Sequence, residues 1–204
     1  MVNFIYLNLR LRTIEEFFNR VVKEVDAEVS NIHLREEAEE FTELDDFDNA
    51  LFYSLETEAI AIKAVFYEIN ALIENELQGI SLEAYSEHPK YIKKRLLPDI
   101  TSIEEISKVR FINELQYNEI CVLIEEYYGL ALKDLPSFEY AQFIRQSVNL
   151  FKHNNGFKSI RQCINSKFQD KLELKRDDAY KAISEARIFL VALSKKIDNN
   201  LKKN

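Results

Sequence analysis

The chain has 204 residues, 47% hydrophobic and 30% charged, with only three glycines and three prolines and a formal net charge of −8. That length suits one domain with its own core, and so few turn formers point to long helices with short connections. The negative charge disfavours broad nonspecific adhesion to nucleic acid or to anionic membranes.

Residues 2–11, VNFIYLNLRL, alternate weakly and read as a short strand or an extended arm. Thr13 with Glu16 reads as a capping box that opens a helix. This helix carries Phe17, Val21, Val25, Val29 and Ile32 near one face and breaks at Asp45-Asp46. A second helix follows to about Leu77, with Leu51, Leu55, Ala59, Ile62, Phe66, Ile69 and Ile73 on one stripe and Gly79 as its stop. Each is about 30 residues, or roughly 45 Å, long, and the two form an antiparallel hairpin over residues 13–78.

Residues 80–100 read as irregular or short-helical, bounded by Pro89 and Pro98. Ser102 with Glu105 forms a second capping box, opening a helix that Gly129 stops. Pro136 fits the first turn of the next helix, which ends at Asn154-Asn155-Gly156. After a basic connector the last helix begins near Asp177-Asp178, whose carboxylates suit a helix N-terminus, and the tail 198–204 frays. The expected architecture is a single all-α domain over residues 1–204: a bundle of about five main helices that includes the long N-terminal hairpin. Cys121 and Cys163 are too few for a disulfide framework and read as reduced core thiols of a cytoplasmic protein. No signal-peptide pattern and no apolar window of transmembrane length is evident.

The helix over FEYAQFIRQSVNLFKHNNG, residues 138–156, carries Arg145, Asn149 and His153 at intervals of four residues. At about 100° per residue they share a stripe roughly 80° wide, with Ile144, Val148 and Phe151 as the opposing apolar stripe. A guanidinium, an amide and an imidazole on one face can bind a phosphate and move a proton. The charge map there reads either as a solvated basic loop or as a local anion-binding surface. Residues 145–176 hold eight basic and two acidic residues, a local +6, while the remainder of the chain carries −14. Lys152, Lys158 and Arg161 in that segment are the candidate anion contacts.

An Arg, a polar residue and then Lys152-His153 near a helix end, followed by a loop and the helix DDAYKAISEARIFLVAL, resembles the HEPN superfamily over roughly residues 102–197. The resemblance implies an α-helical bundle and, in many members, a metal-independent endoribonuclease of toxin–antitoxin or phage-defence systems, with no cofactor and a site shared across a homodimer. Arg145 would then hold the scissile phosphate, His153 would take the 2′-hydroxyl proton or protonate the leaving 5′-oxygen, and Asn149 would orient one of them. By the same resemblance Lys152, Lys158 and Arg161 would contact RNA. Seven residues separate Arg145 from His153, where the family places four to six, and Gln146 stands where Asn or Asp often follows the motif Arg. Non-catalytic members exist, so the alternative is a helical interaction protein: an antitoxin, an immunity protein or a complex subunit, with the acidic hairpin as its partner surface.

Structural roles compete for each residue. His153 suits a C-terminal helix cap, Arg145 a pair with a carboxylate of another helix, and Asn149 a buried amide bonded between helices. The acidic run from Glu36 to Asp48 includes Glu37 and Glu40 at Glu-x-x-Glu spacing. Glu56 and Glu58, two apart, cannot answer from one face of the second helix, so a solvated helix end is the better reading and no metal is expected. A di-iron site is excluded as well, because neither His33 nor His88 follows a Glu by three residues.

Overall fold

A computed structural model describes residues 4–87, 115–154, 156 and 172–202. Five α-helices occur among them: α1 (Phe4–Glu37), α2 (Leu44–Glu87), α3 (Tyr117–Tyr128), α4 (Phe138–Asn154) and α5 (Arg176–Leu201), with a short 3-10 turn at Leu132–Asp134. The all-α bundle with a long N-terminal helix pair is the fold the sequence indicates.

The N-terminal helix starts earlier than Thr13. Leu7, Leu11, Ile14, Phe18, Val25 and Ile32 are buried, at spacings of four, three, four, seven and seven, and the half-buried Val21 divides the first gap of seven. That is the seam of two helices packed side by side, and it carries residues 4–12 into the helix in place of a strand or arm. Burial of each such side chain stabilises by roughly 1.5–3 kcal/mol, which outweighs the weak alternation. Thr13 lies mid-helix, its hydroxyl donating to the Leu9 carbonyl at 2.8 Å. Of the expected face, Val25 and Ile32 are buried and Val21 and Val29 half-buried, and only Phe17 departs, standing exposed while Phe18 enters the core.

The connection between α1 and α2 comes at residues 38–43, ahead of Asp45-Asp46. The glutamates there bury nothing, and Glu39 turns the chain with φ of 58°. The Arg35 guanidinium lies 4.7 Å from the Phe41 ring centroid, and Phe41 meets Phe47 at 5.8 Å, which closes the turn. At the other end α2 runs through Gly79 to Glu87, because Ile80, Ser81 and Ala84 continue its buried stripe. Glycine in a helix interior costs only about 0.5–1 kcal/mol relative to alanine.

α2 packs against each of α1, α3, α4 and α5, and a single hydrophobic cluster draws residues from all five helices. The hairpin is thus part of the core bundle. On α5, Ala179, Ala182 and Ala186 are buried beside Phe189, Leu190 and Leu193, so small residues let the helix approach closely. Its N-terminus is held by Asp178, whose carboxylate accepts the Lys175 N–H at 2.8 Å. The Arg176 guanidinium bridges the hairpin, donating to Glu58 of α2 at 2.5 and 2.7 Å and to Asp26 of α1 at 2.7 Å.

Three boundaries follow from backbone chemistry. α3 begins at Tyr117, with the Glu119 carboxylate accepting the Gln116 N–H at 3.0 Å, and ends at Gly129 with φ of 61°. α4 ends where Gly156, φ 85°, donates its N–H to the Leu150 carbonyl at 3.0 Å. α5 continues to Leu201 where fraying was expected, and the Asn200 amide caps α3 by donating to the Tyr128 carbonyl at 2.8 Å. The Ser102–Glu105 capping box, Pro89, Pro98 and Cys163 lie outside the described residues.

Candidate functional site

α4 exists because Ala141, Ile144, Ser147 and Val148 bury one face against the bundle. Arg145 stands about 60° from Val148 around the helix axis, so the polar stripe flanks the buried face and does not oppose it. Along this flank exposure rises from one end to the other: Arg145 and Asn149 are half-buried and His153 is exposed. Phe151, expected on the apolar stripe, is half-buried with the Lys63 ammonium 5.8 Å from its ring centroid.

Arg145 is held by two other helices. Its guanidinium carbon lies 4.1 Å from the Tyr117 ring centroid, a cation–π stack on α3. Its Nε lies 3.7 Å from a Glu74 carboxylate oxygen of α2, too long for a hydrogen bond, and Nε is buried without a hydrogen-bond partner. These groups border a cavity of about 140 Å³ together with Gln78 and Leu115. Gln142 donates to the Tyr117 hydroxyl at 2.8 Å.

Burial raises the Tyr117 pKa above the ordinary tyrosine value, and the neighbouring Cys121 adds to the effect. Burial likewise pushes the Cys121 thiol up to about 11. Both groups are neutral at physiological pH, so the charged pair at this junction is Arg145 with Glu74. An anion approaching Arg145 meets that carboxylate as well.

His153 sits in the last turn of α4, where the helix dipole favours a cation. The Leu150 carbonyl takes the Gly156 N–H, so the backbone itself closes that end of the helix. Arg145 and His153 are eight residues apart, about 12 Å along the axis. Lys152 reaches across to α2, its ammonium 5.7 Å from the Tyr67 ring centroid. Lys158 and Arg161 lie outside the described residues.

The structure therefore places Arg145, Asn149, Lys152 and His153 on one helix, with Arg145 and Lys152 turned toward α2. Sequence reasoning missed Tyr117, Glu74 and Gln142 as neighbours of Arg145. Gln142 was findable, three residues before Arg145 on the same flank, whereas Tyr117 and Glu74 arrive through tertiary packing that periodicity does not encode. Among the described residues no group of three or more His, Cys, Asp or Glu side chains forms a metal-binding cluster. Glu37 closes α1 while Glu40 lies in the turn beyond it, its carboxylate 3.2 Å from the Arg35 Nε. No described helix is long and apolar enough to cross a membrane. Comparison of the chain with protein-family models, with curated proteins and with solved structures returns no match.

Proposed function

We propose that the protein is a HEPN-like helical protein that acts on RNA as a pair of copies, by metal-independent endonucleolytic cleavage, in a toxin–antitoxin or phage-defence setting. The observation that carries this reading is the α4 flank: a half-buried guanidinium and amide leading to an exposed imidazole at the helix end. Arg145 holds the scissile phosphate, His153 takes the 2′-hydroxyl proton or protonates the leaving 5′-oxygen, and Asn149 orients one of them. Lys152, Lys158 and Arg161 contact flanking phosphates. The separation of about 12 Å along one helix supports a site in which the Arg of one copy works with the His of the other.

The test is cleavage of a mixed RNA pool by the purified protein in EDTA, with His153→Ala alongside. The expected result is cutting that leaves 2′,3′-cyclic phosphate ends and disappears in the variant. His153 is the cleaner probe because it is exposed, whereas Arg145→Ala also removes the stack on Tyr117. Absence of cutting by folded, dimeric wild type would defeat the nuclease reading.

A second reading, a non-catalytic helical interaction protein, is favoured by one specific observation. Glu74 lies beside Arg145 and Tyr117 lies beneath it, so Arg145 already serves the fold. In that case Glu74→Gln and Arg145→Lys change stability and leave RNA untouched.

A further inference from the structure

The end of the α1–α2 hairpin is unlike the rest of the molecule. Arg176 ties α5 to Asp26 and Glu58, and beyond that bridge the two hairpin helices continue for about eleven residues on α1, or some 17 Å. Residues 24–62 contain thirteen acidic residues and one basic residue, Arg35. Large apolar side chains stand exposed among them: Phe52 at 60%, Tyr53 at 69%, Leu55 at 51% and Ile60 at 57%. Phe52 and Tyr53 meet edge to face, 6.0 Å between centroids.

The exposure has a geometric origin. The apolar stripe of α2 that is buried at Ile62, Phe66 and Ile69 runs on toward the helix start through Leu55, which lies half-open in a groove beside the first residues of α5, Arg176 and Asp177. Phe52 and Leu55 put an aromatic and an aliphatic side chain on one exposed face of α2, the composition of an interface centre. The surrounding carboxylates set the sign of its partner. They repel one another across the hairpin end, and a bound cationic surface relieves that repulsion.

From this geometry we infer that the hairpin end is a docking surface for a Lys/Arg-rich amphipathic helix of a partner protein. The partner's apolar face covers Phe52 and Leu55, about 60° apart around α2, and its basic face meets the hairpin carboxylates. The inference does not depend on the nuclease reading, because none of its residues lies on the α4 flank.

The probe is a fluorescein-labelled amphipathic helical peptide of Leu and Lys, with a Leu/Glu peptide of the same apolar pattern as control, titrated into the full chain and followed by anisotropy. The Leu/Lys peptide is expected to bind one to one, more weakly as salt rises, and the Leu/Glu peptide not to bind. The double substitution Phe52→Ala with Leu55→Ala is expected to weaken binding by about tenfold or more with an unchanged circular dichroism spectrum. Ile5→Ser, which alters an exposed apolar residue at the other end of α1, and His153→Ala are expected to bind as wild type. Failure of the Leu/Lys peptide to bind, or equal binding by the double variant, overturns the proposal. So does self-association in light scattering that the double variant abolishes, because the surface would then belong to a second copy of this chain.

Discussion

Arg176→Ala removes the guanidinium that joins the start of α5 to both hairpin helices. Its two carboxylate partners differ in surroundings. The Asp26 side chain is 57% exposed, so that leg contributes about 0–1 kcal/mol. The Glu58 side chain is 16% exposed and receives two of the three hydrogen bonds. Leaving it without a cation costs about 1–3 kcal/mol. The sum centres at about 2.5 kcal/mol, and a chain of this size loses roughly 2–4 °C of Tm per kcal/mol. Thermal unfolding followed at 222 nm should therefore show Tm lowered by about 5–10 °C. Because the cost resides at Glu58, Glu58→Gln should add little in the Arg176→Ala background, whereas Asp26→Asn alone should cost far less than Glu58→Gln alone. An Arg176→Ala variant with wild-type Tm, or equal costs for the two acid substitutions, would refute this division of the bridge.

Two further outcomes follow from local geometry. Gly79 lies exposed inside α2 with open space where a Cβ would stand, whereas Gly129 holds φ of 61° at the end of α3. Gly79→Ala should stabilise by about 0.5–1 kcal/mol and Gly129→Ala destabilise by about 1 kcal/mol, as read by urea titration; the same sign for both would contradict the helix boundaries. The Cys121 thiol has its pKa raised to about 11 from an ordinary 9.0, so the folded state holds its proton more tightly than the unfolded state. This contribution to stability is complete below about pH 9 and is lost as pH rises toward 11. In a Cys163→Ser background, native-state alkylation of Cys121 should accelerate with a midpoint near 11, and a midpoint near the ordinary value would show that the thiol is not desolvated.

Much of the fold was legible in the periodicity of particular segments. Ile62, Phe66, Ile69 and Ile73 mark the buried face of α2, and all four are core residues. Gly129 and Gly156 stop helices as their left-handed conformations require. What failed was local signal set against long-range packing. Thr13 with Glu16 looks like a cap, yet Leu7 and Leu11 extend the seam past it. Gly79 looks like a stop, yet Ile80 and Ala84 have a core to enter. Asn200 looked like a fraying tail, but two carbonyls at the end of α3 accept its amide. For the candidate site, the sequence showed which side chains share a flank and gave no means of seeing that Glu74 and Tyr117 await Arg145. Periodicity reports the direction of a side chain from its own helix and nothing about what stands in that direction.

α2 touches all four of its companion helices. Such a hub makes unfolding cooperative. Opening α1, α3, α4 or α5 alone strips α2 of part of its shell and lowers the cost of losing the next. The stretch of hairpin beyond the Arg176 bridge is outside that arrangement, because there α2 has only α1 beside it among the described helices. The same continuous helix is thus the keystone of the bundle at one end and, among the described helices, the companion of α1 alone at the other. A partner seated on the outer end would stiffen the helix through which every other element is joined, and its binding energy would register in the stability of the whole bundle.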